Sequence, residues 1–470
     1  MTNNRFELHE ERLGTTDEYG QRVYIHPEDV SGPWRNRRTI FNWFLIGVYL
    51  VIPWIHFKGK QIILLDIPHR EFTFFGMTFY AHDAPLVLLL LLGFVFAMGF
   101  ITSIWGRVWC GWACPQTVFI DTIYRQIEKL VEGKARQRQK LDQSPMSFKK
   151  FGKKLLKWFL FTVVTLHITH SLLGYFVGAR KLFWISLSPP TEHMTLFIIM
   201  ISITVIFLLD FGWFREQFCI IACPYGRLQS VMMDEHSLVV AYDTKRGEPR
   251  RGQVESSDEG DCINCYHCVK ACPTGIDIRR GTQLECIACT NCIDACDDIM
   301  AKTHKEPGLI RYDTEAGLEG KETKKLKPRS FIYLTALFII FGILIYSITD
   351  SGKLKATFIR GSRTPYQQVQ LTDGTNQVIN LYRVRLDYKD KHELNIHFKI
   401  KKGGLQNKIT FATPKNPLLM IGGKSKSIIM HFKFDQSDLT NGNRIIILQF
   451  LDDGNRVLLE KEVKLVGPLS

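Results

Sequence analysis

Cys262-Ile263-Asn264-Cys265-Tyr266-His267-Cys268-Val269-Lys270-Ala271-Cys272-Pro273 is a Cys-x2-Cys-x2-Cys-x3-Cys-Pro run, and Cys286-Ile287-Ala288-Cys289-Thr290-Asn291-Cys292-Ile293-Asp294-Ala295-Cys296 repeats its cysteine spacing. Three closely spaced thiolates on a loop wrap three corners of a cubane, and the fourth cysteine of each run ordinarily serves the other cluster. The spacing therefore assigns Cys262, Cys265, Cys268 and Cys296 to one [4Fe–4S] cluster, and Cys286, Cys289, Cys292 and Cys272 to a second. Zinc sites pair two close ligands with two distant ones, a pattern that two complete four-cysteine runs do not follow. Asp297 stands where a proline usually follows the second run. It is expected to loosen the turn and alter the second cluster's potential while removing no ligand.

The other four of the twelve cysteines form an upstream repeat, Trp109-Cys110-Gly111-Trp112-Ala113-Cys114-Pro115-Gln116 and Phe218-Cys219-Ile220-Ile221-Ala222-Cys223-Pro224-Tyr225. Each copy follows an apolar segment, so the region reads as a duplicated two-helix unit with both pairs on one face of a four-helix bundle. Cysteines at i and i+4 share one side of a helical turn. Soft thiolates so arranged suit Cu(I). They would equally serve as a redox dithiol, ligate a third cluster, or be small buried hydrophobes, as free cysteines often are.

A hydrocarbon core takes about 20 helical residues, and residues 39–57, 85–105, 158–177, 194–213 and 331–348 are each long and apolar enough. Arg35, Arg37 and Arg38 precede the first. Arg107, Arg125, Lys129, Lys134, Arg136, Arg138, Lys140, Lys149, Lys150, Lys153 and Lys154 lie between the second and third, and Lys321, Lys324, Lys325, Lys327 and Arg329 precede the fifth. The alternate loops, 58–84 and 178–193, carry few positive charges. Lysine and arginine excess marks cytoplasmic loops, so the N-terminus is expected inside and everything after Asp350 outside. Disulfides are then excluded for the cysteine runs, which face a reducing compartment.

Hydrophobic residues make up 46% of the 470 and charged residues 23%, which fits neither a disordered chain nor one wholly within a membrane. The length and apolar runs exclude a small disulfide-stapled secreted protein. The formal net charge of +14 would suggest nucleic acid in a soluble protein. Beside membrane spans it reads as orientation, and no nucleic-acid partner is expected. Met1 and the polar residues up to Gly32 show no signal-peptide pattern.

The tail after residue 350 alternates apolar and polar residues over 394–400, with further strand candidates at 428–434, 445–451 and 457–466. The last two flank Asp453-Gly454, a dipeptide that favours hairpin turns. Several short strands in about 100 residues suggest a small sandwich. Gly422-Gly423-Lys424-Ser425 resembles the end of a phosphate loop, but Leu418 occupies the position of its first glycine, which rejects it.

His167 and His170 share a face of the third span, and intramembrane histidines are candidates for a quinone head group, a haem or a transient metal as well as for packing. No Cys-x-x-Cys-His occurs, which excludes covalent c-type haem. Trp105, Trp109 and Trp112 read as an interfacial belt, and lysine-rich runs such as 149–157 as topology signals and lipid contacts.

Taken together, Cys110-Gly-Trp-Ala-Cys114-Pro-Gln-Thr, the second Cys-x3-Cys-Pro, the paired cluster runs, the spans and the β-rich tail resemble the cytochrome c oxidase accessory protein family (CcoG, also called FixG or RdxA), a family similar to polyferredoxins. The resemblance covers nearly the whole chain from about Arg35. It implies a bacterial inner-membrane protein that supports assembly of cbb3-type haem–copper oxidases by reducing Cu(II) to Cu(I), an oxidoreductase of the cupric-reductase kind. On this reading Cys110, Cys114, Cys219 and Cys223 bind copper and pass it an electron, and an unidentified cytoplasmic donor supplies the clusters. The partners are the membrane, copper ion, and oxidase assembly factors or copper chaperones. A quinol-dehydrogenase-like membrane module using His167 and His170, or a non-catalytic assembly scaffold, would use the same parts.

The expected fold is a multi-domain membrane protein. It has a cytoplasmic segment 1–38, a four-helix transmembrane unit 39–213, and a cytoplasmic segment 214–330 with a two-cluster ferredoxin insert at about 253–302. A fifth transmembrane helix at 331–349 and a periplasmic, all-β, immunoglobulin-like domain at 350–470 complete it.

Overall fold

The computed structural model describes residues 15, 19, 21–57, 59–68, 71–80, 84–253, 259–323, 327–349, 354–360, 364–370, 376–388, 393–401, 409–413, 415–421 and 425–468. Lys58, Lys324, Lys325, Asp350 and the rejected Gly422-Gly423-Lys424 lie outside them. The chain divides into two compact units, Met1–Leu344 and Ile345–Ser470.

The first unit is built on α1 (Pro33–Val51), α2 (Ala84–Trp105), α3 (Phe148–Leu173), α4 (Met194–Leu209), α5 (Asn291–Lys302) and α6 (Pro328–Thr349). Ser147 caps α3 by accepting from the Lys150 amide at 3.2 Å, a partner for one of the orphan donors of a helix start. Wide π-turns at Gly174–Gly178 and Asp210–Phe214 carry α3 and α4 onward. Among the described residues, four stretches are long and apolar enough to cross a membrane: Leu86–Trp105, Phe148–Leu187, Pro190–Phe214 and Pro328–Ser347. The first expected span is α1, but it is not among these four. Its apolar part starts only after Arg35, Arg37 and Arg38, and the chain leaves the helix at Val51.

Helix α1 nevertheless runs the depth of the bundle. Near its start Arg38 donates to the Cys289 carbonyl and, at 3.1 Å, to Asn291 Oδ1 of the cysteine-rich region. Near its end the Tyr49 hydroxyl donates to the Ile168 carbonyl at 2.8 Å, and Tyr175 donates to Tyr49 O at 2.8 Å. Ile46, Val118, Phe119, Tyr124, Phe161, Ile168 and Phe211 form the apolar core where α1, α3, α4 and the segment after Cys114 meet. Beyond α1, what the sequence leaves as a loop holds an antiparallel sheet of Ile63–Asp66, Glu71–Phe74 and Met77–Tyr80.

Many basic residues read as topology signals also have carboxylate partners inside the protein. Asp121 receives Arg35, Arg38 (2.7 Å) and Arg125 (3.8 Å). Glu128 receives Arg215 (2.7 Å) and Arg138 (2.8 Å), and Glu132 receives Lys154 and Lys157, each at 2.9 Å. Buried charge demands a partner, which is why this face alternates carboxylates with its cations. Burial alone would push Asp121 and Glu128 up. Arg38 and Arg35 at Asp121, and Arg215 at Glu128, reverse that and hold both carboxyls well below the usual range.

The cysteine-rich region is closed by the antiparallel pair Val239–Tyr242 and Ile310–Asp313. Val240, Ile278, Ile293, Met300, Leu309 and Ile310 pack beneath the cysteines.

The second unit is a two-sheet sandwich. Its strands are β1 (Leu354–Arg360), β2 (Gln367–Gln370), β3 (Asn376–Tyr388), β4 (Leu394–Ile400), β5 (Thr410–Ala412), β6 (Leu418–Met420), β7 (Ser425–Asp435), β8 (Asn443–Leu451) and β9 (Val457–Val466). One sheet runs β5-β7-β3-β1 with β2 also on β3, and the other runs β6-β4-β8-β9. Inward residues of both, among them Val384, Leu386, Ile396, Phe432, Leu448 and Phe450, share one core. The β8–β9 hairpin turns at the expected Asp453-Gly454.

Candidate iron–sulfur centres and a thiol quartet

The two cysteine runs adopt matched backbones. Asn264 and Tyr266 in the first, and Ala288 and Thr290 in the second, all have positive φ, between 53° and 66°. Non-glycine residues rarely accept this conformation, and here it recurs at the same two positions of each loop. It curls the chain around a hollow, as wrapping three thiols about one centre requires.

Two hollows result. Cys262, Cys265, Cys268 and Cys296 line one, with Tyr242, Tyr266, Arg279 and Met300. Cys272, Cys286, Cys289 and Cys292 line the other, with Thr274, Ile276 and Ile287. The structure thus groups the cysteines in the crossed sets expected from spacing, and Cys268 borders both hollows. Among the described residues, no three His, Cys, Asp or Glu side chains are arranged around a single ion. Thiols facing a hollow fit a cubane of several atoms better than one bare ion. Burial pushes the Cys286 and Cys296 thiols up to about 12, so metal binding must displace their protons.

Arg279 is the first cluster pocket's cation. It lies 4.1 Å over the Tyr266 ring, pairs with Asp277 at 2.7 Å and donates to Asn264 Oδ1 at 2.7 Å. Cys265 is the exposed member of its set, so the first hollow is reached from solvent. Asp297 is not in a turn. It continues α5 past Cys296, where proline would lose a helical hydrogen bond, and its Oδ1 accepts from the Gly308 amide at 2.7 Å. The loosened turn expected at Asp297 is therefore not found.

The upstream cysteines also converge. Cys114 and Cys223 occupy the same extended position just before helices that begin at Pro115 and Pro224. Cys110 Sγ donates to Gln229 Oε1 at 2.9 Å, and Arg107 donates to the Gly226 carbonyl, tying the first repeat to the second. Burial raises the Cys110 thiol to about 12 and raises Cys114 and Cys219 as well, with the neighbouring thiols adding to the rise.

This quartet abuts the second hollow. Gly111 packs on the backbone of Ile287 and Ala288, and Arg107 donates to the Cys286 carbonyl at 3.2 Å. Cys219 lines one small cavity together with Cys289, Pro273 and Ile287. Trp112 belongs to this packing rather than to a lipid belt, since its Nε1 donates to Tyr312 at 3.2 Å and Tyr312 donates to the Ala288 carbonyl at 3.1 Å. His167 and His170 stand apart from it. His167 is exposed on α3, and His170 Nε2 lies 3.2 Å from Ser186 Oγ.

Sequence reasoning passed over Arg38, Arg107, Arg279, Asp121 and Gln229 as site residues. An arginine shows its role only through the acceptor it meets, and most of these pairings are distant in sequence. Arg279–Asp277, two residues apart beside the first run, and Asp121–Arg125, four apart, were the local signals available.

Residues 214–315 match a model described as a 4Fe-4S dicluster domain, and residues 85–136 match one described as a 4Fe-4S binding domain. The protein RdxB of Cereibacter sphaeroides is 37% identical over 80% of this chain and 81% of its own length. RdxA of the same organism is 35% identical over 78% and 80%. The nitrogen fixation protein FixG of Rhizobium meliloti is 37% identical over 63% of this chain and 58% of its own length.

Proposed function

Since the chain belongs to the FixG/RdxA family of membrane iron–sulfur proteins, we propose that it carries electrons from a cytoplasmic donor, by way of its ferredoxin region, to Cu(II) at the bacterial inner membrane. One observation carries the electron-transfer reading: two four-cysteine hollows share Cys268, and the second abuts the thiol quartet at the helix ends. When bound, each cluster supplies a site that accepts and gives up one electron. The chain's own residues set the direction. Exposed Cys265 marks the end open to a soluble donor, and Arg107, Gly111 and Cys219 mark the end facing the bundle.

Copper as acceptor rests on the family resemblance and on the affinity of Cu(I) for soft sulfur. Each Cu(II) takes one electron to become Cu(I), the form an oxidase assembly factor or copper chaperone would receive. Five crossings are supported by α1, which reaches from the Cys289 loop to Tyr49 beside Ile168 despite its short apolar run. With the N-terminus inside, the sandwich lies in the periplasm. Its β1-β3-β7-β5 and β6-β4-β8-β9 orders resemble immunoglobulin-like sheets, although β5 precedes β6 in the chain. The quinol reading leaned on His167, which is exposed on α3, and on His170, whose Nε2 lies 3.2 Å from Ser186 Oγ.

The test is anaerobic reduction of the purified protein, removal of reductant, and addition of Cu(II) with a Cu(I)-specific chelator. Cu(I) formed in proportion to electrons stored supports the proposal; reduced protein that yields none refutes it.

A further inference from the structure

We infer that Cys110, Cys114, Cys219 and Cys223 together ligate a third [4Fe–4S] cluster, placed between the ferredoxin region and the membrane bundle. The inference goes beyond the proposed function, which requires only the two cytoplasmic clusters. It starts from a shortage of ligands. Residues 85–136 match a 4Fe-4S binding model but contain only Cys110 and Cys114, whereas a cubane takes four thiolates.

The fold supplies the missing two. Pro115 and Pro224 each start a helix, which leaves Cys114 and Cys223 in the same extended geometry at matched positions (φ −64°, ψ 125° and φ −74°, ψ 108°). Cys110 and Cys219 sit one turn earlier in each repeat. The repeats lock together through Cys110 on Gln229 and Arg107 on Gly226. Gly226 is close-packed on the Cys219 carbonyl, where an added Cβ would lie at 3.2 Å. All six thiol pairs are near enough to interact, as four corners about one centre must be.

A cubane with four thiolates carries net negative charge, which a buried site must offset. Arg107 lies beside both Cys110 and Cys286. The backbone amides of Gln116 and Thr117 at the start of the first helix are aimed at the Cys114 sulfur. The two carboxylates nearby are engaged elsewhere: Glu216 by Arg125, and Asp210 by Gln116 Nε2 at 3.0 Å.

The test is an iron, acid-labile sulfide and copper count on the full-length protein, purified anaerobically without reconstitution, with Mössbauer and electron paramagnetic resonance spectra. About 12 iron and 12 sulfide per chain, three cubanes at four each, are expected, with no stoichiometric copper. The Cys110→Ser/Cys114→Ser and Cys219→Ser/Cys223→Ser proteins should each lose about four iron and keep the spectra of the two ferredoxin clusters. Eight iron in the parent overturns the inference, and the parent count holds even if a variant fails to reach the membrane. Eight iron with one copper that either double variant loses would assign the quartet to copper instead.

Discussion

Gly111 lies so close to Ala288 that a β-carbon on it would stand 2.6 Å from the Ala288 carbonyl oxygen. The first Cys-x3-Cys-Pro repeat is thereby pressed onto the loop that carries Cys286 and Cys289. Replacing Gly111 with alanine should push that loop outward, since the obstacle is backbone rather than a flexible side chain. Overpacking of this kind costs about 1–3 kcal/mol. The Gly111→Ala protein should melt at lower temperature and lose the second cluster's spectrum before the first's, as iron content against temperature would record.

Crossed ligation makes a selective prediction. Cys272 lines the hollow of Cys286, Cys289 and Cys292 although its own run lies upstream. Cys272→Ser should damage that cluster and spare the one held by Cys262, Cys265, Cys268 and Cys296. Spectra showing loss of the other cluster would reverse the assignment.

Arg279 borders the first hollow. Reduction adds negative charge there, so removing a nearby cation should make it harder. Arg279→Gln should lower the first cluster's midpoint potential, with a loss of about 1 kcal/mol corresponding to roughly 40 mV for one electron. A redox titration followed by electron paramagnetic resonance measures it.

Asp121 is buried between Arg38 and Arg35, which hold its carboxyl well below the usual range. A depressed carboxyl contributes stability that is fully present above its unfolded value of about 4 and is lost as pH falls through the folded value. Stability from this contact should therefore survive mild acid and fail only in strong acid. Asp121→Asn leaves buried arginines unpaired and should cost about 3–5 kcal/mol at neutral pH, seen as a lowered melting temperature.

The orientation can be read with reporters. A fusion after Lys401 should be active outside the cytoplasm and one after Lys305 inside; activity of both on one side would remove a crossing from the proposed topology.

How much of this was legible in the sequence depends on range. The three-cysteine runs are legible because their members lie within a few residues of one another, and the crossed fourth ligands, Cys272 and Cys296, follow from the ordinary habit of paired runs. Strand 394–400 and the Asp453-Gly454 hairpin follow from local alternation and turn chemistry. The partners of Arg38 and Arg107 lie more than 80 residues away in sequence, where no local pattern reports them. The same lack of range left Arg138 and Lys154 as loop charges that set orientation, with no sign of their carboxylate partners. At Asp297 a family habit was carried over to a residue that simply continues its helix. In Asn376–Tyr388, a strand missed, the polar Asn380 is buried while its apolar neighbours Ile379 and Leu381 are only half-buried, which blurs the alternation.

The claim that electrons leave the ferredoxin region through the thiol quartet is tested most directly by stopped-flow reoxidation. Protein reduced anaerobically and freed of reductant is mixed with Cu(II) while cluster absorbance and chelated Cu(I) are followed, for the parent and for Cys219→Ser/Cys223→Ser at equal occupancy of the two ferredoxin clusters. The parent should reoxidise with one Cu(I) per electron, and the variant should be slower by on the order of tenfold or more, a barrier increase of about 1.4 kcal/mol. Equal rates in the two proteins would contradict the account.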